Sequence, residues 1–341
     1  MKSGMPIPPG RGFGLRPAPA EIHGTKRRRT FLTPWTLLVI ASALAQPVAN
    51  SGTFNPCQAT AGNVLDSCQA GAQSDYSLAL AQCQNISDPA QRQQCKNQAK
   101  SDLQDAVDTC KDQFAARQSA FRKLGSGRYD PTIDPANFVN AVTNPYFPLV
   151  PGTTFIYEGP TEQGLEHSEF FVTHNTRTIL GVTCTEVHDT VKVNGDLAED
   201  TLDWFAQDRD GNVWYFGENT HELSDGLITT IEGTFMAGTD GAKPGIVMKA
   251  HPMVGDFYRQ EFSLGNAEDF AEVTSLTESV TVPAGSFANC LRTRETTPLE
   301  TDVQEDKFYA SGVGNVLTID ANTGDRTQLI GITTDQNGAP K

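Results

Sequence analysis

Two stretches of the chain, about 105 residues apart, carry the same landmarks in the same order. Such self-similarity is typical of a duplicated unit whose copies pack together, because neither copy buries its apolar face alone. The repeat therefore predicts an architecture for this part of the chain, but it points to no activity. The paired landmarks are Pro148 and Pro252, Cys184 and Cys290, and the segments that begin at Asp203 and Asp306.

Length and charge limit the classes of protein to be considered. The 341 residues suffice for a sizeable core and for two domains. The formal net charge is -15, yet the first 45 residues hold seven Lys or Arg against one acid, Glu21. The rest of the chain therefore has 19 basic and 40 acidic residues. Such a body repels nucleic acid and anionic lipid, so we set nucleic-acid binding aside and expect cationic partners.

The N-terminus predicts export. Its basic start leads into an apolar run at residues 34–45, which is too short to span a bilayer. Small residues at Ala43 and Ala45 fit a signal-peptidase site, so residues 1–45 are predicted to be an export signal. The pair Arg28-Arg29 also resembles the twin-arginine motif, with an ordinary basic region as the alternative. We expect a periplasmic or secreted bacterial protein without a membrane span after signal removal.

A helical hairpin is predicted before the repeat. Five of the seven cysteines lie at residues 57–110, where small or apolar residues recur at helical spacing. The pattern breaks at residues 85–89, and Ser87 or Asp88 can cap a second helix that has Pro89 in its first turn.

The cysteine spacing predicts which residues are bonded. Cys68 and Cys83 are 15 residues apart, as are Cys95 and Cys110, which separates each pair by roughly 22 Å along its helix. A disulfide needs Cα atoms within about 7 Å, so neither pair can bond internally. Folding the chain about Pro89 predicts the bridges Cys83–Cys95 and Cys68–Cys110.

A metal site is disfavoured because there is no Cys-x-x-Cys and no His between residues 24 and 166. Cys57 is left free or reaches another domain.

From Thr153 onward, short runs rich in Val, Thr, Phe and Ile alternate with Gly, Asn, Asp and Pro, which predicts antiparallel strands. The predicted fold class is mainly β with an α-helical N-terminal part, the duplicated sheet forming a barrel, half-barrel or sandwich. The predicted domains are an export signal at 1–45, a disulfide-stapled α-hairpin at 57–122, a linker at 123–144 and a duplicated antiparallel β domain at 145–334, with repeats at about 145–250 and 251–334.

One predicted hairpin bears on function. The sequence Asp208-Arg209-Asp210-Gly211 is typical of a turn, and folding there pairs Phe205 with Trp214. A strand that is apolar on both faces must be covered on both, by the α-hairpin, a partner protein or an apolar ligand. One predicted face, the shared core, holds Asp203, Phe205, Trp214 and Phe216, and in the second copy Asp306, Phe308, Leu317 and Ile319. The predicted ligand-binding face holds Trp204, Ala206, Val213 and Tyr215, and its second-copy counterpart holds Lys307, Tyr309, Val316 and Thr318.

Cys184 and Cys290 hold equivalent positions in the two copies. Related by a pseudo-twofold axis, they could form a cross-repeat disulfide, which export favours, or each could be a small buried thiol.

The segments at residues 199–208 and 211–218 resemble a group of bacterial secreted β-repeat proteins that carry an EDTxDWxAQDxxGNVWYFGE-type motif. The resemblance extends over roughly residues 144–330. That group has no established activity, so the resemblance implies no catalytic residues. The cysteine-bearing hairpin is an addition to the shared β part.

Acidic residues and histidines make the best case for catalysis. His174, His188, Glu199 and Asp200 could support acid/base chemistry or ligate a metal ion. The chain is acid-rich throughout, so such groupings arise readily by chance. The acidic loop at 208–212 lacks the EF-hand ligand that would stand at Ala206, and there is no Gly-x-Ser-x-Gly.

From the sequence we expect an exported, non-catalytic binding protein for an apolar ligand or a protein partner, with no cofactor and no bound metal. One alternative is a periplasmic hydrolase, metal-dependent or acid/base, that uses His174, His188, Glu199 and Asp200. Another is a structural cell-envelope module in which residues 57–122 recruit another protein.

Overall fold

The computed structural model describes residues 55–125, 127–161 and 163–335. The predicted export signal at 1–45, with its twin-arginine pair, lies outside the described residues. The domain boundaries and the internal repeat stay predictions from the sequence.

Two helices begin the described chain: α1 at Pro56–Gln84 and α2 at Pro89–Leu124. The side chain of Asn55 caps α1 by accepting a hydrogen bond from Gln58 N. Asp88, one of the two residues predicted to cap the second helix, accepts one from Gln91 N. Disulfides join Cys68 to Cys110 and Cys83 to Cys95, which confirms both predicted bridges. No helix among the described residues is long and apolar enough to cross a membrane.

The C-terminal half of α2 holds the hairpin against the sheet. The guanidinium of Arg117 donates to both carboxylate oxygens of Glu268, at 2.6 to 3.1 Å, and both side chains are 1% exposed. Gln113 donates to the carbonyl of Leu299 at 2.8 Å. Breaking a buried, fully paired ion pair by removing one partner costs about 3–5 kcal/mol, so this contact fixes the position of α2.

Sixteen strands make up one antiparallel sheet in the described part of the chain, which confirms the predicted fold class. A 3-10 turn at Pro135–Asn137 precedes them. The strands are β1 Phe138–Val139, β2 Thr153–Thr161, β3 Gly164–Ile179, β4 Val182–Val193, β5 Asp196–Asp208, β6 Val213–Ser224, β7 Leu227–Thr230, β8 Phe235–Met236, β9 Lys243–Met248, β10 Phe257–Arg259, β11 Glu261–Phe262, β12 Phe270–Val282, β13 Gly285–Thr296, β14 Gln304–Ala310, β15 Gly314–Asp320 and β16 Arg326–Thr334.

Two sets of strand pairings close the sheet into a nearly complete barrel. The last strand, β16, pairs with the first long strand, β2. On the other side, β10 pairs with β12 and β11 pairs with β9. Because β10 and β11 follow each other directly in the chain, they connect these two edges of the sheet. Between them the N–H of Gln260 donates to the carbonyl of Asp269 at 2.8 Å. Closure of this kind leaves few unpaired strand edges and encloses an interior.

The predicted register of the β5–β6 hairpin is wrong by one residue. Phe205 pairs with Tyr215 rather than with Trp214. The turn is one residue longer than the four-residue turn predicted, since Asp208 N donates to the carbonyl of Asn212 and the Asp208 side chain accepts from the indole of Trp214 at 2.9 Å. A one-residue slip sends side chains to the opposite face. Phe205 and Tyr215 therefore stack inside the barrel, with ring centroids 4.6 Å apart.

The corresponding β14–β15 hairpin keeps the predicted register from Asp306 opposite Ile319 to Phe308 opposite Leu317, but a bulge then places Tyr309 opposite Asn315 instead of Val316. Here Lys307 and Tyr309 line the interior. Side chains alternate along a strand, so Asp306 points outward, where Arg292 and Arg294 bind its carboxylate. The two hairpins thus turn different faces inward.

The remaining cysteines are unbonded. Cys57, Cys184 and Cys290 are buried free thiols. The cross-repeat disulfide predicted between Cys184 and Cys290 is not formed, because the two residues belong to different apolar clusters. Burial raises the pKa of the Cys184 thiol to about 12, which makes it unreactive.

Candidate functional site

The barrel encloses a cavity of about 480 Å³. Its wall is formed mainly by residues of β2, β3, β4, β14 and β15 and by the loop before β2, with single residues from β5, β9, β13 and β16. A cavity of this size lies within the range of roughly 300–1,000 Å³ that is usual for small-molecule sites.

Aromatic side chains close one end of the cavity, which we call the aromatic end and define by Phe147, Phe155 and Phe170. The Phe147 and Phe170 ring centroids lie 6.4 Å apart, and those of Phe155 and Phe170 lie 6.2 Å apart. The loop that carries Phe147 is held in place by Gln207, whose side-chain oxygen accepts from the backbone N–H groups of Thr143 and Asn144 at 2.7 Å. This end therefore presents apolar surface to a ligand.

Carboxylates line the opposite end, which we call the acidic end and define by Glu166, Glu199 and Glu305. Along β3 the inward positions change from Glu166 through Ser168 to Phe170, a rise of roughly 13 Å. Burial, followed by repulsion from Glu305 and Glu199, raises the pKa of Glu166. The polarity of the cavity therefore changes along its length.

Lys307 lies between the two ends. Its Nζ is 3.0 Å from a carboxylate oxygen of Glu295 and 3.2 Å from one of Glu305. The hydroxyl of Tyr309 donates to the other oxygen of Glu295 at 3.0 Å. Burial lowers the pKa of Lys307, but Glu295 and Glu305 outweigh that effect and hold it well above its usual value. The lysine is thus permanently charged and is neutralised within the wall.

Asp189 on β4 has a carboxylate oxygen without a hydrogen-bond partner in the described part of the chain. Its Oδ1 is buried and receives no hydrogen bond from the described residues, and the same holds for Oδ1 of Asn315. Burial, then the charges of Glu199 and Glu166, raise the pKa of Asp189 to about 7. Buried polar atoms without a partner are costly and uncommon, which makes both oxygens candidate contacts for a ligand.

A second group of buried acids lies inside the barrel without lining the cavity. The hydroxyl of Tyr215 donates to Asp203 and lies 3.1 Å from Glu218. Burial, with repulsion between neighbouring carboxylates, raises the pKa of Asp203 well above its usual value and that of Glu218 to about 7. Burial and like charges therefore both favour the neutral form of Asp203 inside the barrel.

The four residues of the predicted ligand-binding face are divided between two apolar clusters. Val213 and Tyr215 belong to the barrel interior, whereas Trp204 and Ala206 belong to a second cluster on the other face of the sheet. Trp204 and Ala206 are each 1% exposed, and the segment before β1 and strand β8 cover them. None of the four lines the cavity, although the second-copy residues Lys307, Tyr309 and Thr318 do.

The predicted catalytic set is not brought together. His188 Nε2 lies 2.5 Å from a carboxylate oxygen of Asp200, and both side chains are about two-fifths exposed. Glu199 lines the cavity, so by strand alternation its neighbour Asp200 faces outward. His174 is paired with Asp335, near the C-terminal end of the described chain. Within residues 55–335, apart from 126 and 162, no three His, Cys, Asp or Glu are grouped so that they could hold a metal ion.

Sequence reasoning missed Glu166 and Asp189. Both are charged residues next to a histidine in a β-strand, His167 and His188, a pattern that gives no sign of an inward direction. Their inward direction follows from barrel closure, which no local pattern reveals.

Comparison with known proteins adds little. The chain matches no family model and no curated protein. Among solved structures it is similar to one described as a "putative lipoprotein" from Parabacteroides distasonis, with 16% identity and a TM-score of 0.32. The match covers 57% of this chain and 100% of the other. A likeness this low carries no information about function.

Proposed function

We propose that this protein is a non-catalytic binding protein whose barrel holds a small amphipathic molecule. The observation that carries the proposal is the cavity of about 480 Å³, apolar at the aromatic end and charged at the acidic end. Small-molecule sites combine mostly apolar walls with a few polar groups that fix orientation. An apolar body against Phe155 and Phe170 and a polar head near Glu166 match this arrangement.

Binding is favoured over hydrolysis by the composition of the wall. The described residues that line the cavity include carboxylates, hydroxyls and a lysine but no histidine or cysteine. The predicted set of His174, His188, Glu199 and Asp200 is spread over two faces of the sheet and a distant terminus, so it supports no joint step.

An extracytoplasmic location supports this role. The two disulfides of the hairpin are typical of proteins that mature outside the reducing cytoplasm. We propose that the protein is exported to the periplasm or medium, as the sequence predicts. A carrier or scavenger of small molecules would act there.

The test is native mass spectrometry of the mature protein from its own source, beside calorimetric titration with octan-1-ol. We expect a bound mass that is lost on denaturation, or saturable octan-1-ol binding. Ser168→Trp, which fills the cavity, should abolish that binding, whereas Glu169→Trp on the outer face of the same strand should not. A bare protein that also fails to bind octan-1-ol would refute the proposal.

A further inference from the structure

We propose that the ligand is a cationic amphiphile, a protonated amine on an apolar body, whose positive head is bound by Glu166, Asp189 and Glu199. This inference rests on the proposed function, because it names the charge of the molecule that the cavity holds. It rests on the balance of charge in the wall, on buried acceptors without donors and on the direction of the polarity gradient.

The wall has more negative than positive groups. Among the described residues, five carboxyl groups and one lysine line the cavity. Lys307 is already neutralised by Glu295 and Glu305, with which it forms both of its ion pairs. The other three carboxyl groups, those of Glu166, Asp189 and Glu199, have no ion pair in the described chain. An anionic head would meet uncompensated repulsion, whereas a cation would meet three free carboxylates.

The hydrogen-bonding groups point the same way. Oδ1 of Asp189 and Oδ1 of Asn315 are buried acceptors to which no described residue donates. A carboxylate and an amide oxygen are completed by N–H donors, which an ammonium group supplies without adding an acceptor. A carboxylate head, which only accepts, would leave both oxygens unpaired.

The raised pKa of Asp189 also supports a positively charged ligand. Asp189 is faced by Glu166 on β3, Glu199 on β5, Lys307 on β14 and Tyr157 on β2. Burial and the two glutamates raise its pKa to about 7. A bound cation would reverse that repulsion, so it would be attracted most strongly once these groups are ionised.

The gradient also fixes how such a molecule lies. Glu166, Glu199 and Glu305 occupy the acidic end, Phe147, Phe155 and Phe170 occupy the other, and Asp189 lies opposite Phe170 on the neighbouring strand. A ligand with one charged end and one apolar end satisfies both regions in a single orientation. The net charge of -15 attracts cations to the protein as a whole.

The test uses three probes that share an eight-carbon chain: octylamine, octan-1-ol and octanoate, titrated into the full-length mature protein by calorimetry at pH 8. We expect octylamine to bind at least tenfold more tightly than octan-1-ol, and octanoate to bind most weakly. If octan-1-ol or octanoate binds as tightly as octylamine, the inference on charge is wrong while the proposed function stands. If none of the three binds, the inference on charge is wrong, and the proposed function fails with it when native mass spectrometry also shows a bare protein.

Variants locate the charge recognition. Asp189→Asn combined with Glu199→Gln should weaken octylamine binding at least tenfold and change octan-1-ol binding less than threefold. Glu169→Gln, on the outer face of β3, removes a carboxylate away from the cavity and should leave both affinities within twofold. Unchanged octylamine affinity in the folded double variant would overturn the assignment. If the double variant loses its far-UV circular dichroism, the probe series on the natural protein decides alone.

Discussion

At the scale of single residues, the raised pKa of Asp189 makes the folded protein less stable at neutral pH than at acidic pH. Its pKa is raised from 3.8 to about 7 in the folded protein, first by burial and then by Glu199 and Glu166. The folded state therefore holds its proton more tightly than the unfolded state does. Linkage then requires that stability falls as pH rises from about 4 through 7. The ionised carboxylate is retained at a cost, as expected for a group that serves binding.

We predict that Asp189→Asn stabilises the ligand-free protein at neutral and basic pH. The increase in the free energy of unfolding should begin near pH 4 and be complete above pH 7. Its upper limit is about 4 kcal/mol, because one pKa unit corresponds to about 1.4 kcal/mol. Urea unfolding at pH 4 and pH 8 measures it. Asp196→Asn, at the exposed β4–β5 turn, is the control and should show no such gain. Equal stability of the Asp189 variant and the natural protein at pH 8 would contradict the prediction.

The sequence predicted part of the candidate site. Strand alternation correctly placed Lys307, Tyr309 and Thr318 on one face, because that hairpin keeps the expected register as far as the bulge after Phe308. It misplaced Trp204 beside Tyr215, since a longer turn and a bulge after Trp204 shift the first hairpin. Turn length and bulges depend on contacts such as that of Asp208 with Trp214, which are read only from the folded chain.

At the scale of elements, the closure of the barrel depends on a close backbone approach. A Cβ at Gly245 of β9 would lie 2.2 Å from the carbonyl oxygen of Gln260 and 2.7 Å from the backbone nitrogen of Glu261. Contacts this short are with backbone atoms, which cannot rotate away. Glycine is therefore required where β9 meets β11.

We predict that Gly245→Ala destabilises the protein by about 2 kcal/mol or more, because the added methyl group forces the two strands apart. Gly331→Ala in β16 is the matched control, since a Cβ there has no neighbour within 4 Å. Thermal unfolding of the two variants measures the difference. A Gly245 variant that unfolds with the control would show that this contact does not hold the barrel closed.

Local and non-local elements differ in how far they could be predicted. The α-hairpin and its bridges followed from spacing alone, because Cys83 and Cys95 are only 12 residues apart and flank one turn. The pairing of β16 with β2 joins residues more than 160 positions apart. No local pattern encodes such a contact, so the sequence left barrel, half-barrel and sandwich open.

At the scale of the whole molecule, the hairpin and the barrel are held by different kinds of interaction. The Arg117–Glu268 pair and the contact of Gln113 fix the C-terminal half of α2 to the sheet. The turn end of the hairpin, by contrast, relies on the bridge between Cys83 and Cys95. A disulfide contributes typically about 2–4 kcal/mol, and helices without packing partners are marginal in water.

We predict that reduction of both disulfides unfolds the turn end of the hairpin while the barrel keeps its ligand site. Circular dichroism at 222 nm should fall, and octan-1-ol affinity should stay within twofold of the oxidised value. Mass spectrometry after alkylation confirms reduction of Cys68, Cys83, Cys95 and Cys110. Loss of octan-1-ol binding on reduction would show instead that the hairpin and the cavity are one cooperative unit.

The pairing of β16 with β2 also sets an order of events during synthesis. The hairpin leaves the ribosome first and can fold from neighbouring residues, but β2 has to wait for the last strand of the barrel. Until Arg326–Thr334 has emerged, the interior has no complete wall and β2 remains an open edge. Contacts of such long range make folding slow. A chain that ends prematurely before β16 thus carries every residue that lines the cavity except Thr327, and yet has no cavity.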